Sequence, residues 1–480
     1  MISDKPRLTR QNKPPKAGII HLGLGAFFRS FGAIFVEEAI AEAGGDWGII
    51  GVSLQSFRIR NSLAPQGNIY SAVELDPKEI KTRVVEVIGD VIFAPENRKL
   101  LLERLADPAI KIVSLTVTEK GYCHIPSTGF LDLQHPDIEH DIEQQYPRSA
   151  IGFIVRALGA RMSSGLRPFT VLSCDNLPNN GHVVRNVVLG FAEAIDPELS
   201  RWIASEGRFP STMVDRIVPA TTYEDIENLA ARAGYFDECP VVHEPFRQWV
   251  IEDNFVDGQR PEFECIQGVE LVQNVAPFEL MKIRMLNGTH SALAYLGYLA
   301  GHQTIACAMA DPDFARFIKE LWAHEIIPSL QPPKGVDLRA YAGELFDRYS
   351  NTNISHKTWQ IAMDGSQKLP QRILGSISDN LDQGRRSEGL MLAVAAWMIY
   401  VGGIDEKGQL IDVRDPLGSK LRNLSDAGKT THDKVKNLLS VRAIFDQSLA
   451  TRISGDLIRI YRSLKKNGSR ESLKLIRTEN

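Results

Sequence analysis

In the first half of the chain the apolar residues come in short, nearly unbroken runs that end in glycine or polar clusters. From about Pro277 onward they recur at helical spacing. Residues 17–22 read as a buried strand entering the turn Gly23-Leu24-Gly25, with a helix over 30–43 behind it. Further strands are expected over 47–54, 111–118 and 169–173, rich in the β-branched residues that a parallel sheet buries on both faces. Strand, glycine turn and helix open a dinucleotide-binding fold, where Gly23 and Gly25 let the backbone approach a pyrophosphate at the helix N-terminus. The fingerprint is incomplete, because Phe28 stands where a third glycine would be. The second half shows helical patterns near 313–325, 338–349, 371–380, 389–400 and 454–464. The expected architecture is α/β: an N-terminal Rossmann-type dinucleotide-binding domain over 1–276, then a mostly α-helical substrate and catalytic domain over 277–480.

The most informative helix spans 277–301. Pro277 suits its first turn, Asn274 can cap it and Gly301 can end it. At about 100° per residue, Glu279, Lys282, Asn287 and His290 fall within an arc of roughly 140° and can face one pocket. Beyond Ser291 the helix is apolar or small nearly all round, which predicts burial. A lysine at the edge of such a helix is poorly solvated, and desolvation lowers an amine's pKa toward the range where it accepts a proton. Asn287 can donate to an alkoxide and His290 can bond a hydroxyl, so the set suits interconversion of alcohol and carbonyl. A structural helix with a snorkelling lysine and a hydrogen-bonded core histidine would give the same pattern.

Strand ends supply further candidates, because open α/β sheets bind ligands at their carboxyl edge. The 111–118 strand ends in Glu119-Lys-Gly-Tyr122, and the 169–173 strand leads to Asn176. The 47–54 strand ends without the acidic residue that usually binds the adenosine ribose, so NADP is not excluded, and Arg58 could accept a 2′-phosphate. Asp215 and Arg216 lie among apolar neighbours and can pair with each other or with a site, whereas residues 244–255 have no clean period. Lys368 and Arg372 can grip an anionic or polyhydroxy substrate, although exposed helix charges read the same way.

Composition narrows the function. A net charge of −4 and a pI near 6.3 give no footprint for nucleic acid. The five cysteines are scattered and odd in number, without zinc spacing, which fits reduced thiols in a cytoplasm and no metal site. No apolar run reaches the roughly 20 residues that span a bilayer, and the polar, proline-rich start from Asp4 to Lys16 is unlike a signal peptide. The basic residues at the chain's end are expected to form a frayed tail, and oligomeric state is not readable.

Four motifs in order carry a resemblance over nearly the whole chain. Thr116-Val-Thr-Glu-Lys-Gly-Tyr122, Ser173-Cys-Asp-Asn176 with Asn180-Gly181, the segment from Phe209 to Pro219, and Lys282-x4-Asn287-x2-His290 together resemble the polyol-specific long-chain dehydrogenases. That family includes mannitol 2-dehydrogenase, fructuronate reductase and tagaturonate reductase. The segments from Glu244 to Phe255 and from Trp359 to Arg372 resemble the fructuronate reductase branch, also called D-mannonate oxidoreductase. The resemblance implies metal-independent oxidation and reduction with NAD, acting on a small sugar acid or polyol. By motif, Lys282 is the general acid/base, Asn176 and Asn287 form the oxyanion hole, His290 orients substrate and Glu279 admits protons to Lys282. Asp215, Lys368 and Arg372 would line the substrate site, and Gly23, Gly25, Ala26, Phe27 and Arg29 the cofactor site. Phe28 departs from the family's usual histidine before Arg29, which puts one cofactor or hinge contact in doubt. A dinucleotide-binding sensor without catalysis is the alternative from another class, and an intact Lys282, Asn287 and His290 argue against it.

Overall fold

The computed structural model describes residues 5–125 and 128–475. Asp4 and the last residues of the expected tail lie outside that range; just before them, Ser469–Leu475 is helical. The chain divides into two compact units, Met1–Ala276 and Pro277–Asn480.

The first unit is built on five parallel strands, β1 (Ala17–Leu22), β2 (Gly48–Ser53), β5 (Ile88–Phe93), β6 (Ile112–Leu115) and β7 (Thr170–Ser173). Their order is β5-β2-β1-β6-β7. The chain therefore builds outward from β1 in one direction and then crosses to the other side, which puts a topological switch between β1 and β6. Every residue of β2, β6 and β7 is buried, the physical counterpart of their β-branched runs. Helices Arg98–Ala106, Ala150–Ser163 and Asn180–Ile195 supply one apolar core, and Gly32–Ala43 supplies part of a second.

Six more strands form two small sheets. One is ordered β4-β3-β9, from Ile80–Val85, Tyr70–Leu75 and Val241–His243; the other is β11-β10-β8, from Val269–Val272, Gln248–Glu252 and Thr212–Asp215. The aperiodic stretch 244–255 thus holds β10, a short strand whose central three residues are buried between two partners. β3 and β4 were not foreseen: β4 exposes Ile80, Lys81 and Thr82, so its sequence carries no buried run.

In the second unit, the expected segments appear as Pro312–Leu321, Leu338–Tyr349, Gly375–Asp382, Glu388–Val401 and a longer Gln447–Asn467. Glu388–Val401 is buried nearly all round and packs on both Thr289–Leu299 and Gln447–Asn467. The 277–301 helix begins at Ala276, whose N–H donates to Asn274 Oδ1 at 3.0 Å, and stops at Gly301, where φ is +90°. One feature departs from expectation. Between Ala276–Met281 and Thr289–Leu299 the helix widens into a π-turn, Lys282–Gly288.

Candidate active site

At the carboxyl edge of the parallel sheet, beside the β1/β6 switch, lies a cavity of about 660 Å³. Gly23, Gly25, Ser53, Thr116 and Thr118 are among the residues on its wall. Gly23 is fixed by the fold: its φ is +95° and a Cβ would sit 2.1 Å from the Thr116 carbonyl oxygen. Gly25 is different, because its φ is −91° and a Cβ would meet nothing nearer than the Gly23 carbonyl at 3.8 Å. Packing does not demand glycine there; a backbone that a ligand must approach closely would. Arg98, Lys120 and Arg148 also line the cavity and Asp137 is the one carboxylate among its lining residues, a balance suited to a pyrophosphate. Residues that fit a dinucleotide are thus gathered where the fold favours one.

The remaining cofactor candidates are placed otherwise. Ala26, Phe27 and Arg29 lie on the short helix Ala26–Ser30 and do not line the cavity. Arg29 is buried, donates from Nη1 to the Cys239 carbonyl at 2.6 Å and lies over the Tyr70 ring. Phe28 is buried as well, stacked on the His21 imidazole at 3.3 Å between centroids. His21 contacts Thr116 Oγ1 through Nε2 at 2.9 Å, while the Thr116 hydroxyl donates to the Gly23 carbonyl at 2.8 Å. The threonine proton is committed to Gly23, so Nε2 carries the imidazole proton, and burial pushes this histidine down to about 3. Arg58 is exposed at the start of Arg58–Leu63 and does not line the cavity. In the same unit Asn176 is exposed just beyond β7, and Asp215 is buried as the last residue of β8. Arg216 spends its guanidinium on carbonyls, donating to Ser30 at 2.5 Å and Phe246 at 3.0 Å.

In the second unit Glu279, Lys282 and His290 are buried and Asn287 is half-buried. The roughly 140° arc assumed α-helical rotation throughout. Lys282 and Asn287 were its two extremes; they are five residues apart, the spacing that the i→i+5 bonding of a π-turn stacks on one face. Tyr349 Oη donates to the Leu286 carbonyl at 2.8 Å, Trp322 Nε1 approaches the Met285 carbonyl at 3.4 Å, and Arg372 Nη1 approaches the Asn287 carbonyl at 3.4 Å. Three consecutive carbonyls of the widened turn thus face side-chain donors.

Around His290 the polar groups are under-satisfied. Its Nε2, the Asn287 Oδ1 and the His356 Nδ1 are buried without a hydrogen-bond partner among the described residues. The His290 ring lies 5.0 Å from that of His356 and 4.6 Å from that of Tyr349. Burial, then His356, Arg372 and Arg348, hold His290 well below the ordinary histidine value. Burial and the charges of Lys368 and Arg372 push His356 down to about 4. Lys368 donates to the Met363 carbonyl at 2.6 Å, with Asp364 3.9 Å away; burial first, then Arg372, brings it down to about 8. Arg372 bonds Ser291 Oγ at 3.2 Å and has no carboxylate in salt-bridge reach among the described residues. Buried orphan acceptors and donors beside a cation form a polar cluster suited to a polyhydroxy or anionic molecule.

Comparison with known proteins decides the family. The mannitol dehydrogenase Rossmann domain matches residues 17–265, and the mannitol dehydrogenase C-terminal domain matches residues 274–455. The chain belongs to the mannitol dehydrogenase family. As a member of it, the protein is an oxidoreductase acting on CH–OH groups. It is 46% identical to the uncharacterized oxidoreductase YeiQ of Escherichia coli K12, over 92% of this chain and 90% of that one. It is 44% identical to the D-mannonate oxidoreductase of the same organism, over 94% of each. Among solved structures, the Pseudomonas fluorescens mannitol 2-dehydrogenase, in a ternary complex with NAD and D-mannitol, superimposes with a TM-score of 0.87 at 37% identity, covering 98% of this chain and 96% of that one.

Two residues of this family member escaped the sequence reading. His356 lies three residues before the segment from Trp359 to Arg372, and nothing local marks it; its orphaned Nδ1 shows only in the folded unit. Asn180 reads as a turn residue beside Gly181, but it is wholly buried and clamps β8 through both ends of its amide, donating to the Thr212 carbonyl at 2.8 Å and accepting from the Thr212 N–H at 3.0 Å.

Proposed function

We propose that this enzyme reduces a keto sugar acid to the corresponding sugar-acid alcohol, D-fructuronate to D-mannonate, with NAD, or NADP, as cofactor. The carrying observation is the cationic, under-satisfied cluster of the second unit: Arg372 without a carboxylate partner among the described residues, Lys368 half-buried beside it, and His290 and His356 with buried orphan nitrogens. A carboxylate entering a closed cleft needs such neutralisation, since an unpaired buried charge is costly. The similarity to D-mannonate oxidoreductase supports the same reading. A neutral polyol is the second reading, favoured by the bonds Lys368 already makes to Met363 and Asp364 and by the likeness to mannitol 2-dehydrogenase.

A bound nicotinamide dinucleotide supplies or takes the hydride. The chain's own residues manage the proton and the oxygen. Lys282, as ammonium, donates to the carbonyl oxygen in reduction and, as amine, takes the hydroxyl proton in oxidation. Asn176 and Asn287 donate to the oxygen as negative charge develops, without carrying charge themselves. Neutral His290 bonds a substrate hydroxyl, Glu279 passes protons between water and Lys282, and Asp215 bonds a further hydroxyl. Lysine and asparagines cover what a zinc ion does elsewhere, so the reading is metal-independent.

The test is an assay panel following NADH and NADPH oxidation with fructuronate, tagaturonate and fructose, with and without a chelator. Fructuronate should give the highest kcat/KM, and chelator should leave it unchanged. A kcat/KM for fructose equal to or above that for fructuronate replaces this reading with mannitol 2-dehydrogenase.

A further inference from the structure

The loop after β6 and the loop after β7 meet at a single carboxylate. Asp175 Oδ2 accepts from the Val117 N–H at 2.9 Å and from Tyr122 Oη at 2.8 Å, and Oδ1 accepts from the Thr118 N–H at 2.9 Å. Thr118 is held at φ +66° and ψ +165°, a region that glycine alone occupies at little cost. Val117 and Thr118 are part of the cavity wall beside the glycine turn. The backbone of Asp175 is pinned from the other side, because its carbonyl accepts from Asn180 Nδ2 at 2.9 Å, the amide that also clamps β8. The next residue along the chain is Asn176.

We propose that Asp175 is a positioning residue: its carboxylate holds Val117 and Thr118 in a conformation that threonine resists, and so fixes together the wall of the dinucleotide cavity and the backbone that presents Asn176. This rests on reading that cavity as the dinucleotide site. Two N–H groups converging on one carboxylate repay the strain, and a neutral amide cannot do the same, since asparagine turns one acceptor oxygen into a donor facing an N–H. The buried Tyr122 hydroxyl completes the cage, with Ser173 Oγ 2.5 Å away. Substrate-side asparagine and cofactor-side wall thereby share one support, which no local pattern in either loop reveals.

The experiment uses the full chain and four variants: Thr118→Gly, Thr118→Ala, Asp175→Asn and the double variant Asp175→Asn/Thr118→Gly. Melting temperatures are measured on each, with dissociation constants for NADH and NADPH from their fluorescence. Thr118→Gly should melt above Thr118→Ala, because both lose the side chain and only glycine sheds the strain. Dinucleotide binding by Thr118→Gly alone is the reference for the double variant. Asp175→Asn should weaken dinucleotide binding roughly tenfold or more, and adding Thr118→Gly should recover most of that loss, a rescue that a merely structural aspartate would not show. The proposal is overturned if Thr118→Gly melts no higher than Thr118→Ala, if Asp175→Asn binds as the parent does, or if the double variant binds as weakly as Asp175→Asn. Should Asp175→Asn fail to fold, the melting comparison and the double variant decide. A parent that binds neither dinucleotide would overturn the proposed function instead, and the melting comparison would still judge the strain.

Discussion

In the proposed function, Lys282 and Lys368 divide two tasks that a lysine can perform, proton transfer and charge recognition. Lys282 is 8% exposed on the widened turn, and the proposed chemistry requires it to exchange a proton in the transition state. Lys282→Ala should leave dinucleotide affinity unchanged and lower kcat by roughly 10²–10⁴-fold, the usual worth of a general acid/base. Near-parental turnover in the purified variant would remove it from that role. Lys368 is assigned to the substrate's carboxylate, and burial with Arg372 brings it down to about 8. The cation is therefore present below pH 8 and lost as pH rises through that value. KM for the sugar acid should climb above pH 8, roughly up to tenfold per unit, whereas KM for a neutral ketose should not. Lys368→Met should raise KM for the sugar acid about tenfold or more at pH 7 and abolish the alkaline climb. Unchanged KM across that series would free Lys368 from substrate binding.

The decisive element is the π-turn Lys282–Gly288. Its carbonyls at Met285, Leu286 and Asn287 face donors outside the helix, on Trp322, Tyr349 and Arg372. Gly288 lets the Arg372 backbone come close: a Cβ there would lie 2.5 Å from the Arg372 carbonyl oxygen. Glycine to alanine in a helix interior ordinarily gains about 1 kcal/mol. Here the sign should reverse. Gly288→Ala should lower the melting temperature and cut kcat about tenfold or more, because pushing Arg372 away removes a donor from the turn that aims Asn287. Calorimetry and steady-state kinetics check both halves, and a stabilised, fully active variant would contradict the account.

For the whole molecule, pH acts through buried histidines. His21 and His243 are pushed down to about 3 and His356 to about 4, all chiefly by burial, and His290 lies well below its ordinary value. Each has a folded pKa below its unfolded one, so the unfolded chain binds more protons and stability falls as pH drops below about 6.5. The loss is roughly 1.4 kcal/mol per histidine per pH unit until the folded value is reached. Burial moves two carboxyls the other way, Glu325 up to about 7 and Asp175 upward, so their opposing contributions grow on acidification. Four histidines outweigh two carboxyls, and the urea midpoint should fall steadily from pH 6.5 to 5.5. A midpoint that is flat or rises over that interval would show the histidines to be solvated.

Much of this protein is written locally. Four of the five parallel strands, β1, β2, β6 and β7, were legible because a strand buried on both faces is rich in apolar and β-branched residues, and every residue of β2, β6 and β7 is buried; β5 was not foreseen. Lys282, Asn287 and His290 stood out as candidates because their side-chain types are uncommon on a helix otherwise so apolar. What stayed hidden depends on partners distant in sequence. β3 and β4 pair with each other and β3 with β9, so their apolar content need not alternate with any regularity. The π-turn waits on three donors from other elements, the orphaned nitrogen of His356 on the packing around it, and the hold of Asp175 on Thr118 on a loop more than fifty residues upstream. The sequence by itself determined most of the parallel sheet and the main helices of the second unit, and it offered side chains suited to the proposed chemistry, since these follow from residue type and spacing. Only the tertiary structure decided where those side chains point, because that is set by hydrogen bonds between groups the chain order keeps far apart.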